Sequence, residues 1–488
     1  MTEPYELTAS EIARLVASGQ AMAEECVESV IERIHEVESK VHAYITIDEE
    51  EARRKAKQID ERIREKKPVG RLAGILVAVK DNMCTQGIRT TCSSRMLENF
   101  TPPYDATVVE RVKRADGIVI GKTNMDEFAM GSSTETSHFG PTYNPWDLTR
   151  VPGGSSGGSA AAVIDGEAIV ALGSDTGGSV RCPASFCSTV GLKPTYGLVS
   201  RYGLIAYANS LEQIGPITKT VEDCAVLLSV IAGNDERDCT TANLGILDYL
   251  SRLHEPVSEV RVGVVRELFG EGTQEGVSKS VWKGVDMMGE FTAGCEEVSL
   301  PSLDYSLPAY YLIAMSEASS NLARYDGLRY GYRSPSESLD WADTYSRTRK
   351  DGFGTEVKRR IILGSFALSA GYYDRYYLKA LQVRTLIRRD FEKALDKFDV
   401  LVGPTMPLPP FKVGEKIKDP LGLYMCDVDT VPVNLAGLPA ISIPCGFVDA
   451  LPIGMQIIGR HFAEELILRV AYNFEKSCHL EHRSPPLR

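Results

Sequence analysis

No stretch of the 488-residue chain approaches ~18 uninterrupted apolar residues, so no membrane-spanning helix is expected. The N-terminal Met-Thr-Glu-Pro-Tyr-Glu lacks an apolar core segment, so no signal peptide is expected either. The 11 cysteines are odd in number and never form Cys-x-x-Cys, which argues against a disulfide framework or a structural zinc site. Free thiols in a reducing, cytoplasmic setting are the expectation. Positive charge is in deficit, with 54 Lys and Arg against 66 Asp and Glu and a formal net charge of −12. Such a surface does not attract phosphates, so any RNA would have to be gripped by a partner. There is no internal repeat, low-complexity tract or flexible linker. Their absence favours one large unit over separate domains.

The composition, 43% hydrophobic and 25% charged, is that of a globular protein able to bury a large core. Thr8-Ala-Ser-Glu11 is a capping-box pattern that opens a helix, and Val27, Val30, Ile31 and Ile34 mark a second over 22–39. Residues 48–67 read as a charge-laced helix ending before Pro68, its mixed charges those of a solvated face. Ile75–Val79 are five consecutive apolar residues, the pattern of a central strand covered on both faces. A helix over 105–115 and a strand over 118–120 precede a long polar segment, 122–150, and loops of that length tend to be functional. A helix over 221–232 and a strand over 260–265 follow. Residues 276–400 read as mostly helical and tyrosine-rich, with strand signals returning at 400–402, 440–444 and 453–458. Together these predict an α/β fold, a single large α/β/α domain around a mixed β-sheet. Residues 1–68 are expected as a helical segment packed on that core, and 69–488 as the main domain carrying the helical insertion at about 276–400.

The chemistry is concentrated in 151–181, where two serines each preceded by a glycine pair, Ser155 and Ser179, lie 24 positions apart (179 − 155), with an Ala-rich helical run (Ala160–Val163) and a short apolar strand (Ala168–Leu172) between them. Glycines next to a serine let backbone N–H groups crowd to one point, which suits a nucleophile and an oxyanion site. A serine nucleophile usually borrows a histidine. None of the seven (His35, His42, His138, His254, His461, His479, His482) is placed beside either serine by sequence. Gly153-Gly-Ser155-Ser-Gly157 matches the nucleophile elbow Gly-x-Ser-x-Gly, but a loop rather than a strong strand precedes it, so the match is read as fortuitous. A phosphate loop is disfavoured, because no lysine follows the glycines and no Gly-x-Gly-x-x-Gly fingerprint opens here. Lys80, ending the apolar run, either snorkels to water or is desolvated to a neutral amine that can take a proton. In the second case Lys80, Ser155 and Ser179 form a serine–lysine variant of the catalytic triad. Cys182 and Cys187 lie near Ser179 and read as small buried hydrophobes.

Lys80-Asp-Asn, Gly153-Gly-Ser-Ser-Gly-Gly-Ser159, Gly173-Ser-Asp-Thr-Gly-Gly-Ser-Val-Arg181 and Gly191-Leu-Lys-Pro-Thr195 resemble the amidase signature family over nearly the whole chain. The resemblance implies Ser179 as the acyl-forming nucleophile, Ser155 (on a cis peptide in the family) as the bridge, and Lys80 as the base. The backbone amides from Thr176 through Gly177 and Gly178 to Ser179 are implied as the oxyanion hole. Asn124–Gly131, Ser316–Gly327, Glu356–Ile361 and Pro432–Pro439 further resemble the glutamyl-tRNA(Gln) amidotransferase A-subunit family. That likeness implies glutamine hydrolysis by this chain, with ammonia passed to a B subunit. There ATP and Mg activate the glutamate of mischarged Glu-tRNA(Gln), within a heterotrimer that also contains a C subunit. It implies that this chain binds no cofactor or metal of its own. Tyr310 (or its neighbour Tyr311), Arg359 and Asp427 are implied to hold the glutamine carboxylate and amine, roles that suit a planar guanidinium fork and a carboxylate. Two positions depart from the family pattern: Cys182 stands where glutamine is expected, and Ser188 where glycine is usual. Whether Asp-tRNA(Asn) is also served lies with the partners. A stand-alone amidase with the same nucleophile but no glutamine clamp is the alternative, and a catalytically dead scaffold subunit is the non-enzyme reading.

Overall fold

The strand-forming segments meet in one eleven-stranded sheet. In chain order they are β1 (Tyr44–Ile47), β2 (Leu76–Lys80), β3 (Ile118–Thr123), β4 (Val170–Asp175), β5 (Val190–Lys193), β6 (Gln213–Thr218), β7 (Arg261–Val265), β8 (Gly294–Val298), β9 (Val400–Pro404), β10 (Ala440–Val448) and β11 (Leu451–Ile458). The computed structural model describes residues 3–245, 248–270, 272–335, 340–478 and 484–487. The sheet runs β1-β3-β2-β4-β6-β5-β10-β11-β9-β7-β8 and is mixed: β3, β2 and β4 are mutually parallel, as are β9, β7 and β8, and the strands between are antiparallel. Helices cover it, as the α/β/α expectation requires.

The apolar run before Lys80 becomes β2, buried along its whole length between β3 and β4. Thr8 caps the helix Ala9–Ala17 by accepting from the Glu11 amide, as its capping box predicts. The helix Ala23–Val41 buries Val27, Val30, Ile31 and Ile34 as one stripe against the sheet, while Glu49–Arg64 carries the charge-laced face. Four strands escape the sequence reading. β1 lies within the N-terminal helical stretch, β8 within the tyrosine-rich one, and β5 and β6 flank the centre of the sheet. All four are short and lack a clean period-two alternation, so pairing with established neighbours decides them. The C-terminal helix Glu464–Ser477 also went unread.

A second apolar cluster shares Val265, Leu401, Ala440 and Ile458 with β7, β9, β10 and β11. It is built from the helices Ser306–Leu322, Thr355–Ala367 and Lys379–Lys397 together with the segment around Leu435. It sets this helical layer against the ends of the central strands, where Lys80 and Asp175 lie.

Candidate active site

β2 ends on Lys80 and the parallel neighbour β4 ends on Asp175, so two chemistry-bearing side chains emerge at the same edge of the sheet. Lys80 is fully buried. Its Nζ contacts Ser155 Oγ at 2.7 Å, Ser156 Oγ at 2.8 Å and the Ser174 carbonyl at 3.2 Å. Burial drives its pKa down to about 7, against the opposing pull of the Asp126 and Asp175 carboxylates. Of the two readings the sequence left open for Lys80, snorkelling is excluded. A neutral amine has two protons and a lone pair, so one of the two serine hydroxyls then donates to the nitrogen. Ser156 has the Ser174 carbonyl as a second acceptor at 3.2 Å, which leaves Ser155 to supply that proton. The Gly154–Ser155 peptide is cis.

Ser179 lies in the loop that follows β4. The loop is wrapped on the Asp175 carboxylate, which accepts from the amides on either side of the serine, Gly178 at 2.7 Å and Val180 at 3.2 Å. Arg181 (Nε at 3.1 Å and Nη2 at 3.2 Å) and Asn434 Nδ2 (2.9 Å) complete its shell. Burial by itself would raise the Asp175 pKa, but Arg181 outweighs it and holds the carboxyl near 2. The Ser156 amide donates to the Ser179 carbonyl at 3.1 Å and so joins the two serine stations. Lys80 and Ser155 are inaccessible, whereas Ser179 is 7% exposed, so it is the serine that a substrate can reach.

Of the expected oxyanion donors, Gly178 differs from the expectation, because its N–H is directed to Asp175. Among the described residues, the amides of Gly177 and Ser179 have no acceptor, and Thr176 opens the loop beside them. Gly177 and Gly178 are glycines for packing reasons. A Cβ on the first would run into the Tyr310 ring and hydroxyl, and one on the second, at φ +136°, into Thr430.

Tyr310 and Tyr311 are consecutive in the helix Ser306–Leu322 and so point about 100° apart. The structure uses both. Tyr310 packs on Gly177, while the Tyr311 hydroxyl donates to Asp427 Oδ2 at 2.7 Å. Ser132 Oγ donates to Asp427 Oδ1, also at 2.7 Å, and burial raises the Asp427 pKa to about 6. Arg359, about a third exposed, pairs with Glu356. Glu356 also accepts from Arg360 Nε (2.7 Å) and from the Tyr424 hydroxyl (2.6 Å), and the Tyr424 ring stacks on Tyr311 at 4.2 Å. Ser132, Ser156, Tyr424 and Thr430 were not singled out from sequence. Only the aspartate ahead of Gly177-Gly178-Ser179 carried a local signal for Asp175.

The two departures from the family pattern have local explanations. Cys182 is fully buried, its thiol 3.7 Å from the Ser132 carbonyl, and burial pushes its pKa well up, so it stays a thiol. Ser188 sits in left-handed backbone (φ 60°) at the end of the helix Arg181–Cys187, the conformation that makes glycine usual there. Among the described residues no histidine bonds to Ser155 or Ser179, and no cluster of three or more His, Cys, Asp or Glu is placed to hold a metal. His479 and His482 lie outside the described residues. No described helix is long and apolar enough to cross a membrane.

A reachable serine beside unengaged backbone amides, backed by a buried amine near neutrality, is an arrangement suited to acyl transfer. The chain belongs to the amidase family, whose model matches residues 25–468. It is 56% identical to the glutamyl-tRNA(Gln) amidotransferase A subunit of Moorella thermoacetica over 485 residues, 99% of each chain. It is 57% identical to the Methanosarcina mazei protein of that name, over 96% of this chain and 97% of the relative. The crystal structure of the corresponding Thermotoga maritima protein superposes with a TM-score of 0.84 at 45% identity, covering 100% of this chain and 99% of that one.

Proposed function

We propose that this chain is the glutamine-hydrolysing A subunit of a tRNA-dependent amidotransferase, with Ser179, Ser155 and Lys80 as its catalytic residues. The observation that carries the reading is the buried Lys80 amine, 2.7 Å from Ser155 in the loop that adjoins Ser179. Ser179 Oγ attacks the carboxamide carbon of glutamine and passes its proton to Ser155, as Ser155 passes its own to the neutral Lys80. The negative charge that develops on the amide oxygen is met by the amides of Gly177 and Ser179, with Thr176 at the loop's entry. When the tetrahedral species collapses, the C–N bond breaks and the proton held by Lys80 returns through Ser155 to the departing nitrogen, which leaves as ammonia. Water then attacks the glutamyl ester along the same relay, releasing glutamate and restoring Ser179.

Asp427 takes the α-ammonium of glutamine, positioned by Ser132 and the Tyr310–Tyr311 pair, and Arg359 takes the α-carboxylate once it is released from Glu356. The near-full-length likeness to relatives named as A subunits supports a multi-subunit assembly. In our reading the B and C subunits complete a cytoplasmic heterotrimer. ATP and Mg are used in the B subunit, which also holds the Glu-tRNA(Gln). The net charge of −12 is consistent with leaving the RNA to that partner.

The test is glutamine hydrolysis by the purified chain, alone and with the B and C subunits, ATP and Glu-tRNA(Gln), beside Ser179→Ala. Stimulation in the complex and loss in the variant are expected. Robust turnover of an unrelated amide, with no stimulation, would make the chain a free-standing amidase.

A further inference from the structure

The oxyanion loop is held on its far side by a residue that none of the motifs above contains. The peptide unit joining Gly177 to Gly178 is fastened at both ends. Its N–H donates to Asp175 Oδ1 at 2.7 Å, and its C=O accepts from Thr430 Oγ1 at 2.6 Å. Thr430 is fully buried and belongs to the same turn as Asp427: its amide donates to the Asp427 carbonyl at 3.1 Å and its hydroxyl approaches that carbonyl at 3.2 Å. Its own carbonyl accepts from Arg181 Nη2 at 3.1 Å, and Arg181 also grips Asp175. On the other face of the loop, the Tyr310 ring leaves no room for a Cβ at Gly177.

A peptide plane held at both its oxygen and its nitrogen resists rotation, which restricts the neighbouring planes that carry the Gly177 and Ser179 amides before substrate arrives. We propose that Thr430 is a positioning residue that fixes the oxyanion loop through the Gly177 carbonyl and ties it to the turn carrying Asp427. The proposal rests on the reading of Ser179 as the acylated nucleophile. Thr430 touches no reacting atom. Its hydroxyl is required in the acylation step, where the oxyanion forms, and not in holding ground-state glutamine.

The experiment compares Thr430→Val, which keeps the shape and loses the hydroxyl, with Thr430→Ser, which keeps the hydroxyl. Both are assayed in the assembled complex for glutamine hydrolysis, and for the acylation burst with p-nitrophenyl acetate, an ester that carries no amino group. Thermal unfolding is followed in parallel. Thr430→Val is expected to lower kcat for glutamine by about 10- to 100-fold with KM changed less than about threefold, and to lower the ester burst rate by a similar factor. Thr430→Ser is expected to recover kcat to within about threefold of the parent. An unchanged kcat and burst in a folded Thr430→Val would overturn the proposal, as would a serine variant as slow as the valine one. If Thr430→Val does not fold, the serine variant decides: kcat and burst within about threefold of the parent support the hydroxyl's role, and a loss of about 10-fold or more in a folded serine variant sinks it. If the parent hydrolyses no glutamine yet its ester burst still falls in Thr430→Val, the glutamine reading fails and the positioning role stands.

Discussion

The Lys80 amine and the Ser155 hydroxyl lie 2.7 Å apart at the fully buried end of β2, with the lysine pKa lowered by burial to about 7. A folded-state value below the usual lysine range means that the unfolded chain binds the extra proton more tightly. The buried lysine therefore opposes folding, in full below about pH 7 and progressively less as pH rises to about 10.5. The residue is retained despite this cost, which fits a role in proton transfer.

The first prediction is a pH limb. Below its pKa the amine is already protonated and cannot accept a proton, so kcat/KM for glutamine should rise through about pH 7. Lys80→Met should lose at least ~1000-fold in kcat and show no such limb, while unfolding at pH 7 no more easily than the parent. A neutral-range limb that survives in Lys80→Met would place the base elsewhere.

Asp427 titrates in the same functional sense, but the effect falls on binding. With a pKa raised to about 6, it is a carboxylate at neutral pH and becomes a neutral acid as pH falls, so KM for glutamine should climb below about pH 6 while kcat moves less. Tyr311→Phe removes a hydrogen bond that favours the carboxylate and should shift this limb to higher pH. The pH dependence of KM in the two proteins checks it.

Asp175→Asn should destabilise the chain by about 3–5 kcal/mol, because it leaves the Arg181 guanidinium buried without its counter-ion. Since the carboxyl is held near 2, below its unfolded range, its contribution is complete above about pH 4 and is lost as pH falls through 2. Denaturant unfolding at pH 7 reads the effect, and a loss under about 1 kcal/mol would mean that the network is replaceable.

Arg359→Ala should raise KM for glutamine by about 10- to 100-fold, the usual worth of a charge-assisted carboxylate clamp, and leave turnover of a simple amide such as acetamide untouched. Equal loss on both substrates would show that Arg359 supports the fold through Glu356 instead.

What could be read along the chain was whatever leaves a local signature. Five apolar residues before Lys80 predict a buried strand, but whether its terminal lysine reaches water was left to the tertiary structure, which buries it fully. Glycines around Ser155 and Ser179 predict close backbone approach. Those features follow from covalent neighbours, so sequence alone determined the α/β class and the sheet's main strands, and it singled out Lys80, Ser155 and Ser179 as candidates without joining them. Tertiary structure decided the rest. It placed the N–H of Gly178 on Asp175, assigned Tyr311 to Asp427 and Tyr310 to Gly177, and brought Ser132 to Asp427 across 295 residues and Thr430 to Gly177 across 253. Those relations depend on which strand ends and helices meet in space. The sheet order β2-β4-β6-β5-β10 sets them through long-range pairing that no local pattern encodes.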